Sequence, residues 1–129
     1  MSSGLHRILV LDDDPSLLRA IRLTLVLEGF EVETAADGVL GIEQLANNDF
    51  SLIVLDLQMP RMNGRTFFQE LRSLGYEMPV LILSAYGAEV ARQELGADGA
   101  IVKPFDPEDL VTTIRRLLVE VFPTGAKRY

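Results

Sequence analysis

Residues 8–16 read ILVLDDDPS: four apolar residues, then three aspartates, then a Pro-Ser pair. An unbroken apolar run of this kind is typical of a strand that is buried on both faces of a sheet. Asp14 followed by Pro15 is typical of a helix start, because aspartate caps a first turn and proline suits its first position. Crowded carboxylates repel each other and lose solvation, so another part of the chain must compensate them.

The same alternation of apolar strand and helix recurs along the chain. Residues 51–56 (SLIVLD), 79–85 (PVLILSA) and 99–103 (GAIVK) read as buried strands, and 30–35 (FEVETA) alternates like a shorter one. Apolar residues at helical spacing follow each strand, at Leu17, Leu18, Ile21 and Leu25; Val39, Ile42, Leu45 and Ala46; Phe67, Phe68, Leu71 and Leu74; within 88–95; and Leu110, Ile114, Leu117, Leu118 and Val121. This pattern predicts an α/β fold with a single five-stranded parallel sheet and helices on both faces.

The composition excludes several classes of protein. The chain has 129 residues, the length of one domain, and no cysteine, which excludes a disulfide framework and fits a reducing compartment. No apolar run approaches the roughly 20 residues of a membrane span, and we expect no signal peptide and no membrane contact. The net charge is −7 and the basic residues form no stripe, so we expect no direct binding of nucleic acid by this domain.

Polar side chains follow four of the predicted strands at the point where each strand ends. They are Asp12 and Asp13 after the first strand, Asp56 after the third, Ser84 after the fourth and Lys103 after the fifth. Each residue alone also fits a plain role as a turn former, helix cap or solvated side chain. Because the carboxyl ends of parallel strands meet at one edge of a sheet, where ligands bind, the set together predicts a functional site.

These motifs resemble the receiver domain of two-component response regulators. The residues that carry the resemblance are VLDDDP (10–15), LIVLDLQMPRMNG (52–64), LILSAY (81–86) and GAIVKPF (99–105). The resemblance extends over residues 6–121 and implies a (βα)5 flavodoxin-like fold. With it we expect a flexible leader at 1–6, a receiver domain at 7–122 and a tail or the start of a linker at 123–129.

The resemblance implies that Asp56 is the phosphoacceptor, which takes a phosphoryl group from a phosphohistidine of a partner protein or from a small phosphodonor. Asp12, Asp13, Asp56 and the backbone carbonyl of Gln58 would then hold Mg²⁺. Asp13 would be a direct ligand, with Asp12 acting partly through water. Mg²⁺ suits this set because it prefers oxygen ligands and keeps several waters.

Lys103 and Ser84 would contact the phosphoryl oxygens, and the Lys103–Pro104 peptide bond would be cis, as in the family the motifs resemble. The implied partners are a sensor histidine kinase or a histidine phosphotransfer protein, and an output domain or effector protein. The domain would be a cytoplasmic signalling switch rather than a turnover enzyme, since it would catalyse only its own phosphorylation and dephosphorylation.

Two features depart from the family pattern. Ala100 stands where the family usually has Tyr or Phe, and the segment from Ser84 to Lys103 is shorter than usual, which predicts a short fourth helix. We expect Tyr86 to be a surface residue beside the pocket. Both departures lie on the family's usual output surface, so we expect an altered output, either through a different partner face or through weak coupling.

Two alternatives remain from the sequence. A pseudo-receiver binding module would have kept the fold and lost phosphorylation, although every acceptor residue is present. A Mg²⁺-dependent phosphatase of the haloacid dehalogenase type would need a second aspartate two positions after Asp56, where this chain has Gln58.

Overall fold

The computed structural model describes residues 5–121, so most of the predicted leader and all of the predicted tail lie outside the described residues. The elements are β1 (Arg7–Leu11), α1 (Pro15–Leu27), β2 (Glu31–Ala35), α2 (Gly38–Asn47), β3 (Leu52–Leu55), α3 (Gly64–Ser73), β4 (Val80–Ser84), α4 (Ala88–Leu95), β5 (Gly99–Val102) and α5 (Pro107–Val121). The predicted alternation is confirmed. Within 5–121, no helix has the length and apolar character needed to span a membrane.

The strands form one parallel sheet in the order β2-β1-β3-β4-β5. The chain leaves β1 toward β2 on one side and then returns to β3 on the other, so the strand order changes direction between β1 and β3. Leu11, the last residue of β1, is in register with Leu55, the last residue of β3. The residues that follow these two strands are therefore neighbours at the carboxyl edge of the sheet.

Two apolar layers cover the sheet, one on each face. Alternate strand residues supply them: Ile8 and Val10 face α1 and α5, whereas Leu9 and Leu11 face α2, α3 and α4. These four of the five β1 side chains are at most 1% exposed, as expected for a strand covered on both sides. These layers hold the strand ends in fixed relative positions.

The predicted helix starts are confirmed by their capping bonds. The Asp14 carboxylate accepts hydrogen bonds from the Ser16 amide at 2.9 Å and the Leu17 amide at 3.3 Å, with Pro15 as the first helical residue. Asp106 accepts from the Glu108 amide at 2.9 Å at the start of α5. These bonds satisfy amides that have no partner within the helix.

The predicted apolar face of α2 was partly wrong. Val39 and Ala46 are exposed, and the residue that faces the sheet is instead Gly41. A Cβ atom at Gly41 would lie 2.5 Å from Leu11 Cδ2 and 2.9 Å from Phe67 Cε1, so the neighbours fill the space that a side chain would take. The helix therefore contacts its neighbours at a glycine, a residue that an apolar sequence pattern does not reveal.

The predicted apolar face of α3 was also wrong at its end. The helix stops at Ser73, and Leu74 at its C-cap is 52% exposed. Phe67 and Leu71 are fully buried against the sheet, as predicted. The α3 helix thus covers the sheet with its first two turns, next to the end of β3.

Candidate functional site

The predicted site residues meet at the carboxyl edge of the sheet. Backbone bonds hold two of them, because the Asp12 amide donates to the Ala35 carbonyl at 3.2 Å and the Asp56 amide donates to the Leu11 carbonyl at 2.9 Å. Asp12 is 1% exposed and Asp56 is 4% exposed. Two carboxylates are therefore buried at neighbouring strand ends.

Three carboxylates form an acidic cluster, which we define as Asp12, Asp13 and Asp56. One oxygen atom from each lies within 4.8 Å of the others. Asp13 is exposed, so the cluster is open to solvent on one side. A set of closely spaced carboxylate oxygens is the kind of site that a hard divalent cation prefers.

Lys103 is the cation that the structure places against the acidic cluster. Its Nζ lies 2.6 Å from Asp12 Oδ2 and 3.5 Å from Asp56 Oδ1, and its side chain is 22% exposed. The Lys103 amide donates to the Ser84 carbonyl at 3.0 Å, which aligns the ends of β4 and β5. The Lys103–Pro104 peptide bond is cis, as predicted.

Burial and the charges at this edge shift the pKa values of Asp56 and Lys103. Burial raises the pKa of Asp56, the charge of Asp12 raises it further, and Lys103 offsets only part of this. Burial alone would lower the pKa of Lys103, but the hydrogen bond from Lys103 to Asp12 and the nearby carboxylate charges outweigh it and raise the pKa. Lys103 therefore stays charged, and its charge offsets only part of the burial and repulsion that raise the pKa of Asp56.

Ser84 and Gln58 complete the predicted set. Both line an open groove together with Asp13, so these residues share the surface beside the acidic cluster. The Ser84 side chain is buried, and its Oγ donates to the Tyr86 carbonyl at 3.2 Å. Tyr86 is 79% exposed on the rim of the same groove, which confirms its predicted surface position.

The loop between β3 and α3 packs closely on Asp56. A Cβ atom at Gly64 would lie 2.3 Å from the Asp56 carbonyl oxygen, so only glycine fits there without a shift of the backbone. Asp37 contacts the same loop through Arg61, and no role for this residue was predicted from the sequence. Its position directly before the second predicted helix could have indicated a helix cap, because aspartate is a preferred capping residue.

The family model of the response regulator receiver domain matches residues 8–115, which include the acidic cluster, Ser84 and Lys103. The chain belongs to this family. As a receiver domain it is 40% identical over 120 residues to the response regulator MprA of Mycobacterium sp. (strain KMS), and the match covers 91% of this chain and 52% of MprA. The chain spans about half the length of the curated relatives it matches.

Solved structures of other receiver domains share the fold. A CheY-like receiver domain from Methanospirillum hungatei JF-1 superposes with a TM-score of 0.84 at 33% identity, over 91% of this chain and 96% of that one. The response regulator TrrA from Thermotoga maritima, solved in complex with Mg²⁺-BeF, gives 0.78 at 28% identity, over 88% and 99%. The predicted family and the flavodoxin-like fold are confirmed.

The departures from the family pattern lie at β5 and α4 in this receiver domain. Ala100 is partly buried in β5, in register with Ile82 of β4. The α4 helix has eight residues, Ala88–Leu95, with Gly96 as its C-cap, which confirms the predicted short helix. Next to Ala100 in the chain, Ile101 packs on the opposite apolar layer and Val102 is 58% exposed. At Ala100, β5 therefore has a small side chain and no aromatic ring.

Proposed function

We propose that this receiver domain accepts a phosphoryl group on Asp56 and acts as a phosphorelay switch. The observation that carries the proposal is the convergence of Lys103 and the three carboxylates of the acidic cluster at one edge of the sheet. Asp56 belongs to this arrangement, with Lys103 Nζ 3.5 Å from its Oδ1 and the charge of Asp12 close enough to raise its pKa. A nucleophile held among fixed charges is what phosphoryl transfer requires, since the reaction depends on positioning and charge stabilisation.

The acidic cluster fits Mg²⁺. Asp12, Asp13, Asp56 and the backbone carbonyl of Gln58 would hold it, with Asp13 as a direct ligand and Asp12 acting partly through water. Burial and the charge of Asp12 raise the pKa of Asp56, which indicates that the cluster needs more positive charge than Lys103 provides. When bound, the ion would keep the carboxylates ionised and neutralise charge on the phosphoryl oxygens.

The residues of this chain then have separate tasks. The ionised Asp56 carboxylate attacks phosphorus, an oxygen–phosphorus bond forms, and the bond to the donor breaks with its electron pair leaving on the donor. Lys103 Nζ, which is held at the site by Asp12, contacts one phosphoryl oxygen. The Ser84 hydroxyl rotates from the Tyr86 carbonyl to donate to another. The product is an acyl phosphate that water hydrolyses, so the signal is limited in time.

The proposed donor is a sensor histidine kinase or a histidine phosphotransfer protein, and the proposed recipient of the signal is an output domain or effector protein. These assignments follow from the family, as does the expectation that the chain is a switch and not a turnover enzyme. The cytoplasmic location also stays a prediction, which fractionation of the source cells tests directly.

Incubation with acetyl phosphate and Mg²⁺, followed by intact mass measurement, tests the proposal. We expect a gain of one phosphoryl group that is lost in Asp56→Asn. Asp14→Asn is the matched control, because it changes an adjacent carboxylate that caps α1 and the amide oxygen of asparagine preserves the cap.

Other outcomes would identify the alternatives. No mass gain with acetyl phosphate or with any histidine kinase would identify a pseudo-receiver binding module. Repeated turnover of a generic phosphate ester would identify a phosphatase, although Gln58 stands where that class needs an acidic residue.

A further inference from the structure

Asp37 is a buried carboxylate that the proposed phosphorylation does not use. It lies between β2 and α2, is 4% exposed, and accepts a hydrogen bond from the Leu40 amide at 2.9 Å as the cap of α2. Its second oxygen accepts from Arg61 Nε at 2.8 Å and Arg61 Nη2 at 2.5 Å. The carboxylate therefore caps α2 with one oxygen and binds Arg61 with the other, although Arg61 is 24 positions away in the chain.

Arg61 holds an uncommon backbone conformation. Its φ is 63°, and it is the sole non-glycine residue with a positive φ in the described part of the chain, 5–121. Side chains rarely adopt this region, and they do so where the surrounding structure imposes it. The planar guanidinium donates two bonds to one carboxylate oxygen of Asp37, which provides such a constraint.

The loop that carries Arg61, residues 57–63, is also fixed by its backbone. The Met62 amide donates to the Pro60 carbonyl at 2.7 Å, and the Gly38 amide at the start of α2 donates to the Met62 carbonyl at 3.2 Å. A Cβ atom at Gly38 would lie 2.7 Å from Met62 Cγ, so the loop and α2 are in close contact. The loop begins directly after Asp56, which places Gln58 within the same constrained segment.

We propose that the Asp37–Arg61 pair fixes the loop at residues 57–63 and thereby positions the Gln58 backbone carbonyl for Mg²⁺. Both are positioning residues, because neither belongs to the acidic cluster. The inference rests on the proposed function in one respect, because the Mg²⁺ site is part of that proposed function. The fixing of the loop stands on the contacts alone.

Amide hydrogen exchange of the metal-free protein tests the fixing of the loop. In Asp37→Asn the amide oxygen still caps α2, but the charge that holds Arg61 is gone. In Arg61→Gly the backbone adopts the same φ without strain, but the guanidinium is gone. We expect exchange at the Gly38 and Met62 amides to become several-fold faster in both variants. The Ala91 amide in α4, which donates to the Gly87 carbonyl at 2.9 Å, should be unchanged.

Calorimetric titration with Mg²⁺ alone tests whether the fixed loop positions a ligand for the metal. We expect the Kd to rise about tenfold in either variant, the size seen when residues that orient metal ligands are lost. The double variant should bind no more weakly than either single variant, because both remove the same interaction. Glu94→Gln is the matched control, since it removes the exposed pair between Arg65 and Glu94 and should leave the Kd unchanged.

Three results would overturn the inference in whole or in part. Exchange at the Gly38 and Met62 amides at the wild-type rate would show that the pair does not fix the loop. Faster exchange with a wild-type Kd would show that the loop does not position a metal ligand. Absence of Mg²⁺ binding by the wild type would refute the metal site, and with it the positioning of a metal ligand by the loop. The exchange result would still decide whether the Asp37–Arg61 pair fixes the loop.

Discussion

Lys103 Nζ lies 2.6 Å from Asp12 Oδ2, although 91 positions of sequence separate the two residues. They follow β5 and β1, and β3 and β4 lie between these strands in the sheet. The lysine side chain therefore reaches along the carboxyl edge of two intervening strands to contact the acidic cluster. The contact exists because β3 and β4 set the distance between β1 and β5 in the sheet.

Removal of the lysine should destabilise the metal-free protein. In Lys103→Met, Asp12 keeps its burial but loses the ammonium group beside it. We expect the free energy of unfolding to fall by about 2 kcal/mol at pH 7, less than for a fully buried pair because Lys103 is partly exposed. Urea denaturation measures this change.

The control for this prediction is Arg65→Met, which removes an exposed pair with Glu94 and should cost about 0.5 kcal/mol or less. Equal losses in Lys103→Met and Arg65→Met would contradict a special role for the lysine. Added Mg²⁺ should restore part of the stability that Lys103→Met loses, since the ion would also neutralise the cluster.

The stability of the metal-free protein should depend on pH through Asp56. Burial first, and the charge of Asp12 second, raise its pKa above the ordinary value of 3.8. The contribution of Asp56 to stability is therefore full below that value and is lost as the pH rises through the folded-state pKa. Asp56→Asn should melt roughly 3 °C above the wild type at pH 7, and the difference should disappear below about pH 4.

Thermal melts with and without Mg²⁺ check this prediction. Mg²⁺ should raise the melting temperature of the wild type more than that of Asp56→Asn, because the variant offers one carboxylate fewer. A melting temperature for Asp56→Asn below that of the metal-free wild type at pH 7 would show that the buried charge is already balanced.

A methyl group at Gly64 should disturb the loop at residues 57–63 that precedes it. In Gly64→Ala the new Cβ would lie 2.3 Å from the Asp56 carbonyl oxygen, so the backbone of the loop must shift. We expect a loss of about 2 kcal/mol in unfolding free energy, within the usual range for overpacking, and slower phosphorylation by acetyl phosphate. Gln69→Ala, at an exposed position of the same helix, should leave both unchanged.

The surface that includes β5 and α4, which is the usual output surface of the family, should respond weakly to phosphorylation. Ala100 offers no ring that could move when the Ser84 hydroxyl turns toward a phosphate, and α4 has only eight residues. We expect beryllofluoride with Mg²⁺ to change amide exchange over residues 84–105 only slightly. Ala100→Tyr should enlarge the change. Strong protection of this segment in the wild type would rule out weak coupling and leave a different partner face as the explanation of the altered output.

Much of the fold and site could be predicted because the informative residues are those with strong local preferences. Apolar runs identified the strands, and Asp14 with Pro15 located the start of α1. The convergence of Asp12, Asp56 and Lys103 then followed from parallel topology, since strand ends share one edge. The distances between them required the structure.

Other features had no signal in the sequence. The buried face of α2 contains Gly41, and a residue without a side chain adds nothing to an apolar pattern. Asp37 could have been predicted as a helix cap, but its pairing with Arg61 depends on where a distant loop lies. Contacts between two irregular segments follow no periodicity, which is why the sequence did not indicate this one.

The position of Lys103 directly after the last strand has a consequence for biosynthesis. All three carboxylates of the acidic cluster are translated within the first 56 residues, but the only side chain among residues 5–121 that balances them comes from the end of β5. These carboxylates converge only when β1 and β3 pair in the sheet, and their ammonium partner cannot join them until residue 103 has been synthesised. The complete arrangement of charges can therefore form only when synthesis of the domain is nearly finished.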